Sequence, residues 1–448
     1  MRGNRVRRTR AGGAGLLVYL IAYPACILFS GSGHYLLSGL VLLLAAVALF
    51  LQDLRKPGAP LLLRAVFSLS FVGGQALSCL KLSRLQVDWE PMMWCMCFLA
   101  FMVFWLTVEW GNRRFGVADE GRRMGASGGI NTDRLWLGTV GITVISWISF
   151  LAEAKRLGYV PLLVRGVPHA YSYFHISGLH YFTVSAVLVP AFAAVWFGST
   201  PRASAGKRRG MAACAVFSLL IPLLCVSRFQ LLLSVFTAIA SFLVLERSRL
   251  PVRTVLLTGA ALIPLYLLLT AARSHSAAYL NGIFEMKRNL PVFVSQPYIY
   301  IANNYDNLNC LIRELPRHSF GLRMLFPLWA LSGLKLIVPS LTALPLFVTK
   351  TELTTLTLFY DAWYDFGVLG VVSFSALLAL LVLWMEHRVR DSHHPLFCVF
   401  YAQIAVYLSL SFFTTWFSNP ATWFYFMEIA ALRLFVGSAT RRTGYGPV

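Results

Sequence analysis

The sequence predicts an all-α, polytopic integral membrane protein. Hydrophobic residues make up 58% of the 448 residues, charged residues make up only 13%, and the mean hydropathy is +0.67. Apolar runs of about 18 or more residues recur along the chain, and a run of this length is long enough for a helix to cross a bilayer. These runs are continuous rather than alternating, so they indicate helices and not the strands of a membrane barrel. We expect residues 1–448 to form a single membrane domain.

The apolar runs predict about twelve transmembrane helices. Their approximate bounds are 15–31, 35–51, 61–80, 92–110, 135–152, 177–198, 211–227, 229–245, 254–272, 355–385, 396–415 and 418–436. A further apolar stretch at 320–348 is broken by three prolines. It predicts interfacial or re-entrant helices, or a further spanning pair that would raise the count to fourteen.

Charge placement predicts the orientation. The formal net charge of +21 would suggest a nucleic-acid partner for a soluble protein, but here the Lys and Arg residues cluster in short segments between apolar runs. These clusters occur in every second loop and at both termini, and basic residues favour the cytoplasmic side. Both termini are therefore expected in the cytoplasm, with a small extracytoplasmic loop at 153–176 and a large one at 273–354. No nucleic-acid partner is expected.

Cysteine usage and motif spacing give no sign of a metal site or a cofactor. Seven of the eight cysteines lie within apolar runs, and neither a CxxC pair nor an HExxH stretch occurs. Structural zinc sites and zinc proteases carry such spacings. We expect neither a metal nor a cofactor.

Arginines on the expected extracytoplasmic side are candidates for binding a diphosphate. Arg228 lies at a tight turn between two apolar runs, Arg273 ends the next run, and Arg323 lies in the large loop. A guanidinium binds phosphate oxygens through two parallel hydrogen bonds and keeps its charge. The alternative is that long loops are translocated whatever their charge and that these arginines only touch lipid phosphates.

Two aspartates at the start of the run at 355–385 are candidate catalytic residues. Asp361 and Asp365 are four residues apart, so on a helix they share one face. Two close carboxylates suit a general base that takes a proton from a sugar hydroxyl. Acidic residues are also favoured in the first turns of any helix, and either aspartate could pair with a loop arginine. His318 is a rival catalytic base.

Aromatic and amide side chains predict a sugar-binding surface. Residues 296–308 of the large loop are rich in Tyr and Asn, and we expect Tyr298, Tyr300, Asn303 and Asn304 to contact an acceptor sugar, together with Tyr364 beside the aspartates. Sugars present both apolar faces and hydroxyl rims. Tyrosines at a membrane interface can give a similar composition without any ligand.

These features together resemble the bacterial oligosaccharide repeat-unit polymerases, the O-antigen and capsule polymerase family. The likeness rests on Gly158-Tyr159-Val160-Pro161-Leu162-Leu163, on Ser227-Arg228, on Arg273, on residues 298–308, and on 360–370 with its Tyr-Asp-Phe-Gly-x-x-Gly ending. It covers roughly 150–385, with the pieces in the same order.

The resemblance implies a multi-pass enzyme of the bacterial inner membrane with an extracytoplasmic active face and no cofactor. Such enzymes join repeat units carried on undecaprenyl diphosphate and release the lipid diphosphate. Carried over to this chain, the resemblance assigns the two family arginines to Arg228 and Arg273, and the acidic residue of the last motif to Asp365. Expected partners are an undecaprenyl-diphosphate oligosaccharide, membrane lipids, a chain-length regulator and a flippase.

Two other functions fit parts of the sequence. An O-antigen ligase uses the same lipid-linked donor but transfers the glycan to the lipid A core, and the composition of the large loop does not separate the two enzymes. The third hypothesis is a transporter or flippase of lipid-linked oligosaccharide. Such transporters usually need ionisable groups or broken helices at mid-membrane, whereas the polar residues here gather on one side.

Overall fold

A computed structural model describes residues 14–54, 62–115, 130–164, 172–246, 277–342, 344–391 and 394–437. Within these ranges the chain is helical. The helices are α1 Ala14–Gly31, α2 Tyr35–Leu54, α3 Leu63–Phe67, α4 Gly73–Cys79, α5 Pro91–Phe115, α6 Thr132–Leu157, α7 Leu179–Val184, α8 Val189–Ser199, α9 Ala205–Leu224, α10 Arg228–Glu246, α11 Ala277–Phe284, α12 Val292–Glu314, α13 Phe326–Leu331, α14 Leu334–Ile337, α15 Tyr360–Asp391, α16 Phe397–Ser409 and α17 Pro420–Val436.

Seven helices in the described part of the chain are long and apolar enough to cross a membrane. They are Ala14–Gly31, Tyr35–Leu54, Pro91–Arg114, Thr132–Leu157, Leu179–Ser199, Arg228–Glu246 and Tyr360–Val389. Many of their apolar side chains are exposed, for example Leu28 and Leu377, as expected for a surface that faces lipid. The chain is therefore a helical protein with the character of a polytopic membrane protein.

The structure does not confirm the count of twelve to fourteen spans. The predicted span at 61–80 is divided by a π-helical turn at Ser68–Val72 between α3 and α4, α16 has only 13 residues, and α17 has 17. The predicted span at 254–272 lies outside the described residues. Apolar length alone cannot decide the count, because a short buried helix has the same composition as part of a spanning one.

The predicted large loop at 273–354 contains a long buried helix. α12 packs against α4, α5 and α15, and Asn303, Asn304 and Asn307 within it are almost fully buried. The sequence suggested an exposed loop here because these side chains are polar. They are tolerated inside because their amide groups bind neighbouring polar groups, as buried polar groups must.

The described helices form two groups. One contains α1 to α5 together with α12 and α15, and the other contains α6 to α10. α16 lies between them, because it packs against α3 in the first group and α10 in the second.

Ion pairs identify the two ends of the first group. At one end, Arg64 binds Asp53 at the end of α2 and Glu109 near the end of α5, and the Leu63 amide donates to Glu386 of α15. At the other end, Asp306 of α12 binds Lys81 in the loop before α5, with 3.0 Å between Nζ and Oδ1. The start of α15 also lies at this second end, because the Leu353 and Thr355 carbonyls shortly before it accept from Asn307 of α12, the residue after Asp306.

Candidate functional site

An arginine–aspartate pair at the start of α15 forms the centre of the candidate site. Arg323 Nε donates to Asp361 Oδ1 over 2.5 Å, and the two side chains are 15% and 5% exposed. The guanidinium carbon lies 4.8 Å from the ring centre of Tyr364 and 5.5 Å from that of Tyr360. The two rings thus add cation–π attraction to the ion pair.

The charge of Arg323 is held by this arrangement. Burial alone would lower the pKa of the guanidinium, but the Asp361 carboxylate opposes burial and raises the pKa above its ordinary value. In the described part of the chain, Nε–H is the one guanidinium donor with a partner. A guanidinium has five such donors. Arg323 can therefore hold Asp361 and still bind another anion.

Asp365 holds the backbone that carries Arg323. Its Oδ1 accepts the Ser319 hydroxyl and, at 3.2 Å, the Arg323 amide, while Oδ2 accepts the Met324 amide at 2.7 Å. The side chain is fully buried. Asp361 and Asp365 thus face the same turn, as their spacing predicts. Asp361 binds the arginine side chain, and Asp365 binds the backbone beneath it.

The two glycines of the Tyr-Asp-Phe-Gly-x-x-Gly motif allow close packing at this turn. Gly367 has φ of +56° within α15, and a Cβ added there would lie 2.9 Å from His318 Nε2. A Cβ at Gly370 would lie 2.0 Å from the Ala362 carbonyl oxygen. Both positions therefore exclude a side chain. His318, predicted as a rival base, lies over Gly367, and its Nδ1 is 3.3 Å from the Tyr364 carbonyl oxygen.

A cavity of about 420 Å³ opens beside the ion pair, and both Arg323 and Asp361 line it. One part of its wall is apolar and comes from Leu322, Phe326, Leu341, Leu344 and Leu346. Another part is polar and comes from Thr414, Thr415, Ser418 and Asn419. Hydrocarbon, hydroxyl and ionic groups thus face one space, which suits an amphiphilic anion.

The polar wall was missed by the sequence analysis. Residues 414–419 join α16 to α17 and lay at the border of two predicted spans. Asn419 caps α17, since its side chain accepts from the Ala421 amide. The sequence signal was the interruption of apolar character by Thr-Thr and Ser-Asn-Pro, a pattern typical of a helix start.

Arg228 begins α10 in the second group of helices. Its side chain is 7% exposed and donates through Nη1 to Gln296 of α12 at 3.2 Å. The next residue, Phe229, stacks on Phe413 and Trp416, with ring centres 4.9 and 5.3 Å apart. Those two rings bracket Thr414 and Thr415 of the cavity wall. Arg228 is therefore linked to the cavity through its neighbour, although Arg228 itself does not line the cavity.

Arg273 lies outside the described residues.

The predicted sugar-binding residues of α12 are engaged within the chain. The Tyr298 hydroxyl donates to Gln86 Oε1 at 2.6 Å. Asn303 donates to Asn307 and accepts from Thr349, and Asn304 donates to the Tyr300 and Phe412 carbonyls. The Tyr300 ring is half-buried and lies 6.2 Å from that of Phe413. These bonds tie α12 to its neighbours, and sugar binding by these residues stays a prediction.

Within the described ranges, no three His, Cys, Asp or Glu side chains gather in a way that could hold a metal ion.

Comparison of the chain with protein-family models, with curated proteins and with solved structures finds no match.

Proposed function

We propose that this protein is a membrane glycosyltransferase that polymerises oligosaccharide repeat units carried on undecaprenyl diphosphate. The observation that carries the proposal is the Arg323–Asp361 pair on a cavity with one apolar and one hydroxyl-rich wall. Such a donor has the same three chemical parts: an isoprenoid chain, a diphosphate and a sugar. The resemblance over residues 150–385 supports the same function. The active face is extracytoplasmic in this proposal. Basic clusters occur at both termini and beside the Arg64 end of the first helix group, and such clusters favour the cytoplasm. The Arg323–Asp361 pair lies at the opposite end.

The proposed reaction is a glycosyl transfer without a cofactor. An acceptor hydroxyl oxygen attacks the anomeric carbon of the growing chain, the bond from that carbon to the diphosphate oxygen breaks, and undecaprenyl diphosphate leaves with the bonding electrons. Arg323 stabilises the negative charge that develops on the leaving diphosphate, in the manner of an oxyanion hole. Asp361 takes the proton of the attacking hydroxyl.

We propose the following roles for the remaining predicted residues. Asp365 positions Arg323 through the backbone and does not touch substrate. Arg228, with Arg273, assists in holding the diphosphate, and Tyr364 presents its ring to Arg323 and to the sugar. His318 is kept as the alternative proton acceptor.

The proposal is tested with purified protein in nanodiscs and undecaprenyl-diphosphate oligosaccharide. Formation of a ladder of longer lipid-linked glycans is the expected result for the unaltered chain. Arg323→Ala is expected to abolish the ladder while the protein still inserts and purifies normally. Arg313→Ala is the matched control, because Arg313 is 45% exposed and its one ion pair among the described residues is with its neighbour Glu314. Equal ladders from both variants would overturn the role of Arg323.

The same donor would serve an O-antigen ligase, so the acceptor separates the two enzymes. A ladder formed from lipid-linked donor alone supports a polymerase, whereas product that forms only when lipid A core is added indicates a ligase. A transporter is separated by reconstitution into liposomes, where it would move the labelled donor across the bilayer without lengthening the glycan. Arg228→Ala and Arg273→Ala are also expected to abolish the ladder, and full activity would remove them from the site.

A further inference from the structure

The segment at 320–342 exposes large apolar side chains on one side. Phe320 is 73% exposed, Leu336 is 70% exposed and Ile337 is 77% exposed, and Leu325 and Leu328 are also exposed. Water contact with this much hydrocarbon is unfavourable by about 25 cal/mol for each Å². An apolar patch of this kind needs a partner.

The opposite side of the segment packs on the protein. Pro327 and Ala330 of α13 are buried, and α13 packs against α17. Leu322, Phe326 and Leu341 face the cavity. This segment, residues 320–342, is called the flap: some of its side chains line the cavity, and other apolar side chains are exposed.

The exposed face of the flap continues the lipid-facing surface of a candidate membrane span. Phe320 of the flap lies against Phe366 of α15, with ring centres 6.4 Å apart. Phe366 is 44% exposed, and Leu369, which follows the kink at Gly367, is 78% exposed. α15 is apolar and long enough to cross a bilayer, so we expect the exposed side chains of Phe366 and Leu369 to face lipid. An apolar surface that continues from them lies at the same depth.

Charge in the flap also fits a lipid surface. Arg323 and Lys335 are the charged residues of 320–342, and the segment contains no Asp or Glu. Lys335 Nζ lies 5.9 Å from the ring centre of Phe326. A lysine whose carbon chain lies along apolar side chains places its ammonium at the level of lipid phosphates.

We propose that the flap is a re-entrant element embedded among the acyl chains of the bilayer leaflet nearest the cavity, so that the cavity opens to lipid rather than to water. A lipid-borne ligand would then reach Arg323 sideways from the membrane, without leaving the bilayer. The embedding is inferred from the apolar surface and the charge of the flap. The identity of the ligand rests on the proposed function.

Depth measurement tests the embedding directly. Single cysteines are placed at Leu336 and Ile337 in a Cys95→Ser background, which removes the exposed native thiol, and each carries a nitroxide in phosphatidylethanolamine–phosphatidylglycerol liposomes. Leu369→Cys is the lipid-facing reference and Glu352→Cys, in an exposed polar loop, is the aqueous reference. The collision rate of the flap labels with oxygen is expected to match that of the label at position 369. A collision rate with a water-soluble nickel complex as high as that at position 352 would overturn the proposal.

A second copy of the chain is the other partner that could cover the flap. In that case the nitroxides would show dipolar broadening that fades as unlabelled protein is added, with little collision with oxygen. This result would also overturn the lipid embedding.

Entry from the membrane is tested with Ile337→Glu. The variant is expected to raise the KM for undecaprenyl-diphosphate donor by about tenfold, with little change for a water-soluble donor that has a short prenyl chain and with unchanged thermal stability. An equal KM change for both donors would overturn entry through the lipid. If the unaltered protein forms no ladder from either donor, the proposed function fails, while the depth measurement still decides the embedding.

Discussion

Two arginine–aspartate clusters at opposite ends of the first helix group differ in one respect. Arg64 uses Nε, Nη1 and Nη2 on the carboxylates of Asp53 and Glu109, and it is 4% exposed. Arg323 has a single carboxylate partner in the described part of the chain and lines a cavity. Both guanidinium groups lie over aromatic rings. An arginine–aspartate pair by itself therefore does not distinguish a candidate site, whereas unused donors beside an open cavity do.

The largest expected effect is on folding, from Arg64→Ala. Removing the guanidinium would take a buried cation away from the carboxylates of Asp53 and Glu109, which costs about 3–5 kcal/mol in stability. The measurement is the thermal unfolding of purified protein in detergent, together with its yield in the membrane. Arg113→Ala is the control, since that side chain is 75% exposed and also pairs with Glu109. If Arg64→Ala is as stable as the control, the cluster is not a structural clamp.

Arg323→Ala is expected to act on rate rather than on folding. Loss of the cation that we propose to face the leaving diphosphate should lower kcat by about 10²- to 10³-fold, while Asp361 still shares the cavity with the hydroxyl groups of its wall. Arg323→Lys should restore the charge but not the planar fork, and so recover only part of the rate. Steady-state kinetics and thermal unfolding measured on the same preparations check this. A large loss of stability without a specific loss of kcat would show that the Arg323–Asp361 pair is structural, as we expect for the Arg64 cluster.

Asp365→Asn separates positioning from proton transfer. An amide cannot accept at both of its polar atoms, so the backbone amide of either Arg323 or Met324 loses its acceptor, at a cost of about 1–3 kcal/mol. We expect lower thermal stability and faster proteolysis near the turn at 319–324, with Glu352→Gln unaffected. Unchanged stability combined with complete loss of the ladder would instead place Asp365 in the chemistry.

Tyr364→Leu should produce the smallest effect. The ring contributes cation–π attraction to Arg323, worth about 0.5–2 kcal/mol, which corresponds to about a 2- to 30-fold loss in kcat/KM. Tyr364→Phe keeps the ring face and should stay near the unaltered value. A large loss in the Phe variant would show that the hydroxyl, and not the ring face, carries the contribution.

The site was predicted in part. The spacing of Asp361 and Asp365 indicated a shared helix face, and the possibility that they pair with a loop arginine was left open; the structure has Asp361 paired with Arg323. Asparagines of α12 looked like an exposed sugar surface because their composition is polar. Whether polar side chains face water or one another depends on packing partners such as Thr349 and the Phe412 carbonyl, which are distant in sequence.

The sequence alone determined that the chain is helical and built for a membrane, because long continuous apolar runs have no other stable arrangement in lipid. It also indicated arginines as candidates for binding a diphosphate. Only the tertiary structure decided which arginine is satisfied and which is open. That distinction depends on contacts between α15, the flap and the turn at 414–419, which lie up to about a hundred residues apart in sequence, and no local pattern encodes such contacts.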